Sequence, residues 1–120
     1  MADLAKLLVE TLKQQLATGA RKVAVPAGGA LVWRWFTDLH NARTYHAHGP
    51  NPISYQEIQA YAAATRWLLE PRHVEIIRAM DRAYLDHSYL ARQRDAPGVK
   101  TLPPISSQVM NVGMFDAIFG

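Results

Sequence analysis

Cysteine is absent from the 120-residue chain. That absence removes disulfide frameworks, thiolate nucleophiles and cysteine-ligated zinc together, and it suits a reducing compartment. Nor is there any run of about 18 apolar residues that could span a bilayer. The opening stretch "MADLAKLLVETLKQQLATG" carries an acid at Asp3 and only short apolar runs. It therefore lacks the basic start and continuous apolar centre of a secretory signal, and a cytosolic protein is expected. Charge of one sign is also lacking. Thirteen Lys and Arg against ten Asp and Glu leave a net charge of +3, and "EPRHVEIIRAMDRAYLDH" interleaves the two signs. Nucleic-acid binders concentrate their cations on one face instead, so the charge pattern argues against such a partner. Internal repeats and low-complexity segments are missing too.

The length allows one domain with an appendage, and the periodicity is helical. Leu4, Leu8, Leu12 and Leu16 recur every four residues, which predicts a first helix over Asp3 to Ala17 with Gly19 at its stop. In "RKVAVPAGG", Val23 and Val25 suit a short extended segment that Pro26 ends, and the Gly28-Gly29 pair reads as a hinge. A second helix is expected over Ala30 to Ala42, with Leu31, Val32, Trp35, Phe36 and Leu39 on one face and Trp33 pointing elsewhere. The stretch from Arg43 to Pro52, "RTYHAHGPNP", reads as an irregular loop.

The sharpest local signal is "PNPISYQEIQAY". Ser54 and Glu57 have the spacing of a capping box, Ile53 and Ile58 occupy the staple positions, and Pro52 biases the entering chain away from helix. A third helix should start at Tyr55 and continue to Leu69, with Ile58, Tyr61, Ala62, Thr65, Leu68 and Leu69 on one face. Pro71 suits a first helical turn, so Glu70 is expected to cap a fourth helix reaching Gln93. Its apolar stripe is Ile76, Ile77, Met80, Ala83, Tyr84, His87, Leu90 and Ala91. On its wet side, Glu75 with Arg78 and Arg82 with Asp86 have the spacing of weak helical pairs.

After Gln93 three prolines and three glycines interrupt the pattern, yet Val109, Met110, Val112, Met114, Phe115, Ile118 and Phe119 make the final dozen residues strongly apolar. The sequence therefore predicts an all-α protein, a small bundle of about four helices with an extended apolar C-terminal tail. Residues 1–29 form an N-terminal helix and short extended linker, 30–93 a helical core domain, and 94–120 a tail ending in a docking segment. That segment either packs back across the helices or orders on a partner.

No constellation specifies catalysis. His40, His46 and His48 lack the third and fourth ligands in known spacing that a metal needs, and read as incidental histidines of a solvated loop. His73 and His87 fall on or beside the apolar face of the fourth helix and read as partly buried donors to neighbours. Asp81 and Asp86 are five apart, off a shared face, and read as surface charges. The glycine pair matches neither phosphate-binding pattern. The two helices flanking "LEP" invite comparison with a helix-turn-helix presenting Arg72, His73, Glu75, Arg78 and Arg82, but acids alternate with those bases. A metal, a cofactor and an enzymatic activity are accordingly not expected.

The order "WRWFTDLHNAR", a Gly and Pro loop, "PISYQEIQAYAAATRWLLEPRHVEIIRAMDRAYL" and a Pro-rich tail ending in "FDAIFG" resembles small proteins of phage and prophage tail-gene clusters, the tail assembly chaperones. The resemblance covers roughly residues 31–119 and leaves out the first helix and "RKVAV". It implies a non-enzymatic protein of the host bacterial cytoplasm that binds the tape-measure protein or tail-tube subunits by covering apolar helical surface. On that basis Trp33, Trp67, Met114, Phe115 and Phe119, supported by Tyr55 and Tyr89, are the expected partner contacts. The runner-up readings are a minor tail or connector component retained in the virion and a DNA-binding regulator. Self-association is compatible with all of these.

Overall fold

Asp3 begins the first helix by accepting hydrogen bonds on its carboxylate from the backbone N–H groups of Ala5 at 3.1 Å and Lys6 at 3.4 Å. These are two of the donors that a helix start leaves without an internal partner. The computed structural model describes residues 3–94, and in it helix α1 spans Leu4–Thr18 and closes on Gly19 in the left-handed conformation. The leucine row is the buried row: Leu8 and Leu12 are fully covered and Leu16 nearly so. Each such side chain contributes about 1.5–3 kcal/mol of burial. Gln15 lies on the same side, and its Nε2 donates to the carbonyl of Ala20 at 3.2 Å, which ties the end of the helix to the segment that follows.

That segment forms no strand. Val23 and Val25 are half-buried without sheet partners, and Val25 packs against the core. The glycine pair is not the open hinge that its composition suggests. Gly29 is buried under α1, and a Cβ placed there would stand 2.7 Å from Leu8 Cδ2. Only a residue without a side chain allows this approach. Helix α2, Ala30–Asn41, then buries Val32, Trp35, Phe36, Leu39 and His40. Leu31, expected on the same face, is instead exposed.

The stretch read as irregular contains a miniature hairpin, β1 Tyr45–His46 and β2 Gly49–Pro50, paired antiparallel as Tyr45 with Pro50 and His46 with Gly49. Side chains extend what two-residue strands cannot sustain. Asn51 N–H donates to the Thr44 carbonyl and Asn51 Nδ2 to Thr44 Oγ1, both at 2.9 Å.

Helix α3, Tyr55–Thr65, starts as the capping signal requires, with Glu57 N–H donating to Ser54 Oγ at 3.0 Å and Ser54 N–H to Glu57 Oε1 at 2.8 Å. Ile53 and Ile58 are both buried beside it. It ends four residues short of the expected Leu69, because Arg66 takes the left-handed conformation at φ 63°. Breaking at Arg66 lets Trp67 fold back edge-on to Trp35, with ring centroids 5.6 Å apart. The cost falls on Leu68, which is 87% exposed rather than part of the apolar face.

Helix α4, Pro71–Arg94, is the longest element at about 36 Å. Its start is a reciprocal cap of an unusual kind. Glu70 carbonyl accepts from His73 N–H at 2.9 Å, and His73 Nδ1 accepts from Glu70 N–H at 3.0 Å. His73 thus accepts where donation was expected. Ile76, Ile77, Met80, Ala83 and Tyr84 meet α1 and α2 in one core. Four helices around that core make the all-α bundle anticipated from the sequence. The last two turns of α4 carry the stripe outward, and there Leu90 is 61% exposed.

Candidate functional site

Three polar side chains that the sequence places on the surface or in a solvated loop are buried together where α2 ends. Arg43 Nη2 lies 2.6 Å from Asp81 Oδ1, with side-chain exposures of 1% and 6%. The guanidinium also donates through Nη1 to the Asn51 carbonyl at 2.7 Å and through Nε to His40 Nδ1 at 3.1 Å, while Asp81 Oδ2 accepts from Ile53 N–H at 3.1 Å. The Tyr84 ring covers the guanidinium at 4.5 Å and meets the His40 ring edge-on at 4.5 Å. Ionised groups removed from water need such saturation to be tolerated.

The cluster does structural work with a functional consequence. It binds the end of α2, both flanks of the hairpin and the middle of α4 into one unit, so the hairpin is held against α4 rather than left mobile. His40 is kept neutral, its pKa lowered to about 3 by burial and, secondarily, by the adjacent Arg43 charge. Burial likewise pushes the Tyr84 hydroxyl up, with Tyr45 adding to the shift. Burial and a 2.6 Å hydrogen bond from Tyr61 Oη to Asp38 Oδ2, which joins α3 to α2, raise the Tyr61 pKa to about 12.

A readable signal for this cluster was present. Asp81 follows Ile77 by four residues and His40 follows Phe36 by four, so both stand in phase with apolar stripes. A polar residue in phase with a buried face needs a buried partner.

Between the hairpin and the end of α4 lies an open groove of about 650 Å³. Pro50 and Pro52 form one side, Leu85 and Tyr89 the other, and His48 and Arg92 stand at its polar margin. Among the described residues no Asp or Glu lines it. Gly49, with φ 142°, presses against the guanidinium of Arg92, and a Cβ at this position would fall on that group. His46 and His48 border the groove, with ring centroids 6.1 Å apart and His46 Nδ1 accepting from His48 N–H at 3.0 Å. Among the described residues no group of three His, Asp or Glu side chains is placed to hold a metal ion, and no helix is long and apolar enough to cross a membrane.

The expected contact residues fall in different places. Tyr89 is 62% exposed at the groove, whereas Tyr55, 63% exposed, lies under Arg78 at 4.2 Å. Trp33 and Trp67 are half-buried and pack against the core, and Arg34 approaches the Trp67 ring at 5.9 Å. Met114, Phe115 and Phe119 lie outside the described residues. Leu68, Leu90 and Tyr45 are exposed apolar side chains that sequence reasoning did not select, because period alone assigned the first two to buried faces. Of the cations in the helix-turn-helix comparison, Arg72 Nε pairs with Glu70 Oε1 at 3.0 Å, Arg78 lies over the Tyr55 ring, and Arg82 is exposed.

Four helices around one core, with an internal polar clamp, define a small helical protein. A sequence profile described as phage tail assembly chaperone matches residues 10–86, well over half of the chain, and the protein belongs to that family. The match begins within α1 and ends two thirds of the way along α4, so it takes in the buried clamp, the hairpin and the C-terminal part of the first helix. No curated protein and no solved structure matches the chain.

Proposed function

We propose that this tail assembly chaperone acts without catalysis in the host bacterial cytoplasm, binding the tape-measure protein or tail-tube subunits and covering their apolar helical surface until the tube assembles around it. Family membership supports the general role. The observation that carries the surface is the pairing of Tyr89 and Leu90, both more than 60% exposed, on turns of α4 that continue past the core beside the groove. Exposed apolar side chains next to a concave surface are the usual anchors of a protein partner. Tyr55, Trp33 and Trp67 would extend the contact, and Met114, Phe115 and Phe119 would add to it from the tail.

Co-purification of the tagged full-length protein with the tape-measure protein of the same gene cluster tests this reading. Tyr89→Ser with Leu90→Ser, and separately removal of residues 96–120, should each reduce recovery of the client. Retention of the client at full level by both variants, and by Trp33→Ala combined with deletion of residues 109–120, would overturn the assigned surface. Mass spectrometry of finished particles distinguishes a chaperone, which should be absent, from a minor tail component that remains.

A further inference from the structure

We propose that the groove between the hairpin and the end of α4 is the docking site of this chain's own apolar C-terminal segment, residues 114–119, before any client is bound. The groove's chemistry selects the occupant. Pro50, Pro52, Leu85 and Tyr89 offer apolar surface, while Arg92 is a cation with no acid beside it among the described residues that line the groove. The segment "MFDAIF" brings Met114, Phe115, Ile118 and Phe119 around a single acid, Asp116. Its aromatic side chains match the apolar walls and its carboxylate matches Arg92, whose guanidinium lies against Gly49 at the hairpin.

Connectivity favours the same chain over any other occupant. Arg92 and Gln93 line the groove and α4 ends at Arg94, so the chain departs within one turn of the site. Phe115 follows Arg94 by 21 residues, which reach up to about 70 Å when fully extended and so return to the groove with ample slack. A covalent link of this length gives an effective concentration on the order of millimolar, well above that of a free second copy at micromolar protein. A client entering the groove would then release the segment, which becomes free to make its own contact with that client. This inference does not depend on the client's identity, and its test is made without one.

The cysteine-free chain permits a single nitroxide at Ala117→Cys in the full-length protein, read by paramagnetic broadening of amide signals. The signals of Gly49, Ser88 and Tyr89 should lose roughly half their intensity or more relative to the reduced label. Arg72, about 24 Å back along α4 from Ser88, should keep its signal. Phe115→Ser with Phe119→Ser should restore the groove signals, and Tyr89→Ser should weaken the effect while leaving the rest of the spectrum in place. Undiminished groove signals in the labelled parent would overturn the proposal and leave the groove to another protein. Broadening of the groove signals that persists when labelled chains are mixed with unlabelled isotope-enriched ones would overturn it in favour of a second copy's segment. Broadening that persists unchanged in both variants would also overturn it, because the contact would then not be through these side chains.

Discussion

Arg43 and Asp81, 38 positions apart in sequence, meet through a 2.6 Å ion pair from which water is almost wholly excluded. A charge left in this position without its partner would be buried and uncompensated. Arg43→Met or Asp81→Leu should therefore each lower the unfolding free energy by about 3–5 kcal/mol. The double replacement Arg43→Met with Asp81→Leu should cost markedly less than the sum of the single losses, because both charges leave together. Urea denaturation of the four proteins checks this through the coupling energy.

His40 makes stability depend on acid. Its pKa is about 3 in the folded protein against 6.5 for an ordinary histidine, so between those values the unfolded chain binds the extra proton. The contribution is fully present above pH 6.5 and is lost as the pH falls toward 3, at about 1.4 kcal/mol per pH unit. His87 is shifted in the same direction, by burial and then by Arg94, and adds to the trend. His40→Asn keeps an acceptor for Arg43 Nε but cannot titrate, and urea midpoints at pH 7, 6 and 5 should fall less steeply for it than for the parent.

Gly29 fits beneath Leu8 only because it has no side chain. Gly29→Ala should destabilise the protein by about 1–3 kcal/mol through forced displacement of Leu8, while Gly28→Ala meets no neighbour but strains a backbone at φ 84°. Combining Gly29→Ala with Leu8→Val should recover part of the loss, as read from thermal midpoints.

Arg66 ends α3 with a positive φ that a side chain disfavours. Arg66→Gly should raise stability by about 0.5–1 kcal/mol, the relief of left-handed strain exceeding the extra freedom of the unfolded chain. A denaturation midpoint higher than that of Arg66→Ala is the expected result.

Local physics carried the helix starts. Asp3, the Ser54 and Glu57 pair and Pro71 act through atoms a few residues away, so their effect is written in adjacent positions and the structure repeats it. The apolar stripes of α1 and of the first part of α4 were legible for a similar reason: spacing alone puts Leu8, Leu12, Ile77 and Met80 on faces that have to be covered. Elsewhere period misled. Leu31, Leu68 and Leu90 have apolar character in or near a helical phase, but among the described residues no neighbouring element covers them. The candidate site was less legible still, because its groove is bordered by residues 46–52 and 85–93, which no periodicity relates.

Interactions within a few residues suffice to make this a helical protein, to set where its helices begin and to turn its leucine and isoleucine rows inward. It takes contacts between distant segments to bury Asp81, Arg43 and His40 as partners, to stop α3 at Arg66 so that Trp67 reaches Trp35, and to lay the hairpin along α4. Those outcomes depend on which surfaces meet after the chain has turned. The free energy of a buried charge is fixed by the neighbour that arrives from a distant segment.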